Sequence, residues 1–176
     1  LFPNYYQLGA QLNIRSLLIA VAGTLVSPSR GVLVFVPWLL FVGFLLIRYR
    51  SQIPSRRLVI LSVSVIVLHL ILVSTFPIWW AGYSFGPRFL TDVVPWFVLL
   101  AIMGVKGMLT SYEHHSSAFY KGAQVLAGAI ILAVSIFIHA RGATAPATAM
   151  WNTRPSIDEH PERVWDWRDP QFLASD

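Results

Sequence analysis

The chain has 176 residues, of which 56% are hydrophobic and 12% charged, with a mean hydropathy of +0.62. A soluble domain carries about 25% charged residues, so the composition predicts an integral membrane protein. The absence of cysteine excludes disulfides, thiolate catalysis and cysteine-held zinc or iron–sulfur centres. The formal charge of +5 is scattered along the sequence, which argues against a nucleic-acid partner.

In chain order, the first residue is Leu1 rather than Met, and residues 1–11 lack the basic and apolar regions of a secretory signal, so the sequence reads as a piece of something longer. Residues 1–13 are polar and aromatic, with Tyr5, Tyr6, Gln7 and Gln11. The apolar run that follows, residues 17–26, rises only about 15 Å as a helix, half of a hydrocarbon core of about 30 Å. Ile14–Val26 is therefore expected as a re-entrant or interfacial helix, or as the end of a span begun upstream. Ser27-Pro28-Ser29-Arg30-Gly31 is expected to turn the chain into the first full span, with Arg30 at the water boundary.

Four spans are predicted, at residues 32–47, 58–76, 89–109 and 122–140. Pro37 should kink the first, which a bundle tolerates if neighbours satisfy the freed backbone groups. Arg48, Arg50, Arg56 and Arg57 follow it and make that loop cytoplasmic by the positive-inside rule, with an anionic-lipid or phosphate site as the alternative. In the second span, Ser62 and Ser64 are expected to back-bond or to pack helix on helix. His69 is a functional candidate by its depth, but a single hydrogen bond to a neighbouring helix is the preferred reading. Lys106 can snorkel from the third span. Residues 110–121 read as a polar cytoplasmic loop, and Glu113-His114-His115 as solvated rather than metal-binding, since adjacent helical side chains diverge by about 100°. No metal site and no catalytic residue is assigned. The small residues Gly122, Ala123, Ala127, Gly128 and Ala129 invite close helix contact in the fourth span.

The stretch around which the chain is organised lies between the second and third spans: Trp79-Trp80-Ala81-Gly82-Tyr83-Ser84-Phe85-Gly86-Pro87-Arg88-Phe89-Leu90-Thr91-Asp92. Gly82, Gly86 and Pro87 make it a shaped turn, expected on the extracytoplasmic face. A helix beginning near Pro87 would set Arg88 and Asp92 one turn apart for pairing. Trp79, Trp80 and Tyr83 fit either a binding site or an interfacial aromatic belt, with Arg88 snorkelling in the second case. Residues 142–150 read as a small-residue linker. Residues 151–173 are dense in aromatics and charge and too short for a core of their own, so this extracytoplasmic tail is expected to dock near the central turn; stacking on a sugar ring is the other use of its tryptophans. The organisation is thus an all-α, polytopic helical membrane domain over residues 1–140 and an extracytoplasmic tail over residues 141–176.

Three motifs carry a resemblance: Ser27-Pro28-Ser29-Arg30-Gly31, the central stretch from Trp79 to Leu90, and His160-Pro161-Glu162-Arg163-Val164-Trp165-Asp166-Trp167-Arg168-Asp169-Pro170-Gln171-Phe172-Leu173. Together they resemble the C-terminal portion of bacterial GT-C type membrane glycosyltransferases, akin to the polyprenyl-phosphate mannosyltransferase and aminoarabinose transferase superfamily. That resemblance implies transfer of a sugar from a polyprenyl-phosphate donor to an acceptor at the extracytoplasmic face of a bacterial inner or plasma membrane, with both ends of this chain on that face. It implies phosphate contacts from Arg88 and Arg30, with Asp92 orienting Arg88. The family's carboxylate motif matches nothing here, so the catalytic base is expected in an N-terminal part of the same protein, and the isolated chain is expected to be inactive. A transporter or channel part, with His69 on its pathway, and a structural membrane module are the competing classes. The gathering of charge at the extracytoplasmic edge favours a surface-facing site over a transmembrane pathway.

Overall fold

The computed structural model describes residues 13–114 and 118–175. Helices dominate them, and no strand occurs among the described residues. Three helices are long and apolar enough to cross a membrane: Arg56–Ser74, Arg88–Tyr112 and Gly122–Thr144. The polar segment before Asn13 and the centre of the expected 110–121 loop, residues 115–117, lie outside the described residues.

Helix α1 (Ile14–Val26) starts where the Asn13 side chain accepts the Arg15 backbone N–H at 2.9 Å, and it stops at Ser27, ahead of Pro28. Its 13 residues rise about 20 Å, too little for a crossing. The span expected at 32–47 is corrected: it divides into α2 (Val32–Phe35) and α3 (Trp38–Arg48). Pro37 keeps Val36 out of the helical region, at φ −127° and ψ 65°, and so breaks the helix instead of bending it. The Trp38 N–H beyond the break donates to Ser135 Oγ on α6 (Ala118–Thr144) at 3.2 Å, so a neighbouring helix satisfies the interrupted backbone.

Helix α4 (Arg56–Ser74) is capped by Ser55, which accepts from the Leu58 N–H. Ser62 donates back to the Leu58 carbonyl at 2.8 Å, as expected. His69 Nε2 donates to the Phe89 carbonyl at 2.7 Å, tying α4 to the segment beyond the central turn. That segment begins as a 3₁₀-helix, Arg88–Val93, and becomes α-helical only in α5 (Val94–His114). The third span therefore starts in a tighter helix and runs further than predicted. The fourth does as well, since α6 continues to Thr144. The expected linker at 142–150 is corrected accordingly: its first residues complete α6, and Pro146–Met150 form the short helix α7, with the proline at its first position. The boundary proposed at 140/141 falls inside α6.

Helix α3 packs against both α5 and α6. Glycines permit the approach: a Cβ on Gly104 would lie 3.1 Å from Leu45 Cβ, and one on Gly128 would lie 2.6 Å from the Phe41 ring. Gly122 faces open space and has no such part. Phe35, Val42 and Leu45 on the broken pair are buried, while α4 and α6 leave Ile60, Leu68, Leu126 and Ile136 exposed. Apolar side chains outward and a tight, small-residue interior are the distribution that a lipid solvent selects.

Candidate functional site

The central turn is a mould for aromatic rings. Ala81, Gly82 and Gly86 all have positive φ, at 62°, 57° and 61°; for Ala81 that conformation carries a steric penalty of about 1–2 kcal/mol, so surrounding contacts must hold it. Gly86 lies against Phe35, whose ring would be 2.6 Å from an added Cβ. Trp79 covers Gly23 and meets Trp80 and Trp165, with ring centroids 6.1 Å and 6.0 Å away. Trp80 Nε1 donates to Asp158, and the Tyr83 hydroxyl is 2.8 Å from Ser156 Oγ. These three aromatics therefore hold the tail. Trp151, Ile157 and Val164 of the tail are buried in a small core shared with Trp79 and Trp80, so the tail docks where the sequence placed it.

Arg30 closes this assembly. It is 2% exposed, and each of its five N–H groups has an acceptor. Nε donates to the Trp80 carbonyl at 2.7 Å, Nη1 to Ser29 O at 2.7 Å and Gln171 Oε1 at 2.6 Å, and Nη2 to Gly82 O at 3.2 Å and Asn152 Oδ1 at 2.8 Å. The Trp151 ring lies 5.6 Å from the guanidinium carbon. Burial pulls the Arg30 pKa down to about 10, so the group is still a cation at neutral pH. Gln171 repeats the pattern: its amide donates to Ser84 O and Thr148 O, and its backbone N–H donates to Ser29 Oγ. Ser27 Oγ donates to the Val164 carbonyl at 2.6 Å. With no N–H left over, Arg30 joins the 27–31 turn, the central turn and the tail, and the phosphate contact expected of it has no donor to use.

Arg88 is placed oppositely. Its side chain is exposed and makes no hydrogen bond or ion pair with the described residues. Pairing with Asp92 does not form, for a geometric reason. In a 3₁₀-helix residues i and i+3 eclipse, which puts Thr91 beneath Arg88 and Asp92 about 120° around the axis. The Thr91 hydroxyl accordingly donates to the Arg88 carbonyl at 2.8 Å.

Arg88 lines a groove of about 830 Å³, open on one side, between α5, the α2–α3 break and α6. Its long wall is one face of α5, Val94, Phe97, Val98, Ala101, Ile102 and Val105, at the i, i+3, i+4 spacing of a helical stripe. Among the described residues, the ionisable groups in the lining are Arg88, Lys106 and His139, all basic. From Arg88 to Lys106 the chain rises about 30 Å, the thickness of a hydrocarbon core. Such a groove accepts a long apolar chain and favours an anion at its ends. The sequence reading marked Arg88 but passed over His139, Asn152 and Gln171. His139 carried one signal, an imidazole within an apolar span; the two amides carried none, because their role exists only once the tail is folded back. No group of metal-ligating side chains occurs among the described residues. Comparison with family models, with curated proteins and with solved structures finds no match.

Proposed function

We propose that this chain forms the donor-binding part of a membrane glycosyltransferase, in which the groove holds the polyprenyl chain of a lipid-linked sugar and Arg88 holds its phosphate. The carrying observation is the combination of an apolar groove with exclusively basic ionisable lining and an arginine whose donors no described residue uses. A guanidinium offers two parallel N–H bonds to phosphate oxygens and keeps its charge at a membrane surface. In this reading the three long helices cross the membrane and the α2–α3 pair completes a fourth crossing. The arginines at positions 48–57 mark the cytoplasmic end, and the central turn, the docked tail and both chain ends lie extracytoplasmically, in a bacterial inner or plasma membrane. Among the described residues the groove lining holds no carboxylate, so in this reading the base that activates the acceptor is expected from another segment of the protein.

His69, the residue that the sequence offered for a transport pathway, is instead committed to the Phe89 carbonyl. The test is binding of a polyprenyl phosphate to the purified chain. Arg88→Ala should weaken it by about one to two decades, the value of a charge-assisted hydrogen bond of about 1.5–3 kcal/mol. Arg88→Lys should recover only part of the loss, because the bidentate fork is gone. Wild-type affinity in Arg88→Ala would remove the phosphate role.

A further inference from the structure

Two histidines lie within the long apolar helices, and their situations differ. His69 spends its Nε2–H on the Phe89 carbonyl. His139 is exposed and makes no hydrogen bond with the described residues, yet it lines the same groove as Arg88. Its direction is fixed by neighbours on its own helix. Ser135 and Gly142 stand four residues before it and three after, on the same face of α6. Ser135 receives the Trp38 N–H, and Trp38 lines the groove; Gly142 lies under the ring of Phe85, which lines it too. His139 thus stands on the face of α6 that meets Trp38 and Phe85, toward the end of the groove where Pro87 and Arg88 also contribute to the wall.

From this placement, and resting on the donor-binding reading above, we infer that His139 is the second polar contact for the phosphate of the lipid donor, beside Arg88. An imidazole donates one hydrogen bond when neutral and adds a charge when protonated. The elements that pack most on α6, namely α2, α3, α7 and the 3₁₀ turn Gln171–Leu173, carry no acid. Helices α2 and α7 and the 3₁₀ turn Gln171–Leu173 have no titratable side chain, and α3 has only Arg48, at its far end beside Tyr49. On α6 itself the nearest charged group is Arg141, which donates to the carbonyls of Phe172 and Ala174, and the remaining ionisable groups of the groove are Arg88 and Lys106. A phosphate anion bound beside His139 favours the imidazolium over the neutral ring. The added affinity is therefore present at acid pH, where the ring is protonated, and is lost as pH rises and the ring becomes neutral.

The probe is decaprenyl methyl phosphate, a diester whose single charge does not titrate in this range, bound to the full chain in maltoside micelles that contain no phosphate. Wild-type affinity should fall about ten-fold or more from about pH 5.5 to about pH 8. His139→Gln and His139→Ala should flatten that profile at unchanged thermal unfolding. Arg88→Gln should weaken binding at every pH and keep the slope. Dibutyl phosphate, which has the same charged group without the long chain, separates the two sources of affinity and should bind far more weakly. A wild type that shows no preference for the long-chain probe overturns the donor-binding reading and this inference with it. Chain-dependent, Arg88-dependent binding whose pH profile is the same in His139→Gln overturns the role of His139 alone. If His139→Ala unfolds, the profile of His139→Gln decides.

Discussion

Arg30 and Arg88 both follow proline-containing turns, Ser27-Pro28-Ser29-Arg30 and Gly86-Pro87-Arg88, and Arg30 donates to the central stretch to which Arg88 belongs. One is enclosed, with five acceptors for five N–H groups; the other opens on a groove and meets none. The comparison separates two uses of the same side chain. A guanidinium with saturated geometry serves to organise backbone, because neutral carbonyls and amides satisfy it without a counter-ion, and removing it orphans several buried acceptors at once. A guanidinium left unsaturated at the end of an apolar groove contributes little to folding and is available to a ligand. The region around the first is a clasp that joins three distant segments, and the region around the second is a groove whose long wall is one face of α5.

The largest effect should come from breaking the clasp. Arg30→Ala is expected to cost about 3 kcal/mol or more, since each buried acceptor left unpaired costs about 1–3 kcal/mol. Hydrogen exchange at residues 151–173 should then become as fast as at an exposed segment, while α4 and α5 keep their protection. Arg30→Lys should rescue little of this, because three donors on one nitrogen cannot reach acceptors spread around a planar fork. Persistent protection of the tail in either variant would show that its tryptophan core holds without Arg30.

Next in size is Gly86→Ala. It would force a side chain into the left-handed region and into the Phe35 ring, with an expected cost of about 2–4 kcal/mol in unfolding experiments. Since Phe35 also meets Phe85 and Phe172, at centroid distances of 5.1 Å and 5.7 Å, the loss should extend to tail docking. Arg88→Ala is the reverse case. Its stability should stay within about 0.5 kcal/mol of wild type, as for an exposed side chain away from any network, while lipid phosphate binding falls. A variant of Arg88 that unfolds the chain would erase the distinction between the two arginines. Ser135→Ala should cost about 1 kcal/mol, from loss of the bond that receives the Trp38 N–H. Its consequence should appear locally, as faster exchange at Trp38.

Much of the helical plan was legible in the sequence because apolar run length and proline position act locally. The length of α4 and the shortness of α1 follow from them. Proline also marked the break at position 37, although a kink was expected and the restriction on Val36 ended the helix outright. The use of His69 as a bond between helices agreed with its neighbours in sequence, all of which are apolar. The 142–150 segment was misread because alanine, glycine and threonine signal flexibility only when nothing packs on them; here Phe85 covers Gly142 and the helix continues.

The composition by itself determined that the chain is helical and suited to a membrane, and the aromatic, glycine-rich central stretch identified where the distant segments meet. Tertiary structure alone decided which arginine is spent and which is free. Saturation of a guanidinium depends on Gln171 and Asn152, more than one hundred residues from Arg30 in the chain, and no local pattern encodes that meeting. The groove is likewise a property of three elements at once. The α5 stripe is visible as periodicity, but its opposing walls at the α2–α3 break and at His139 exist only because α3 packs between α5 and α6.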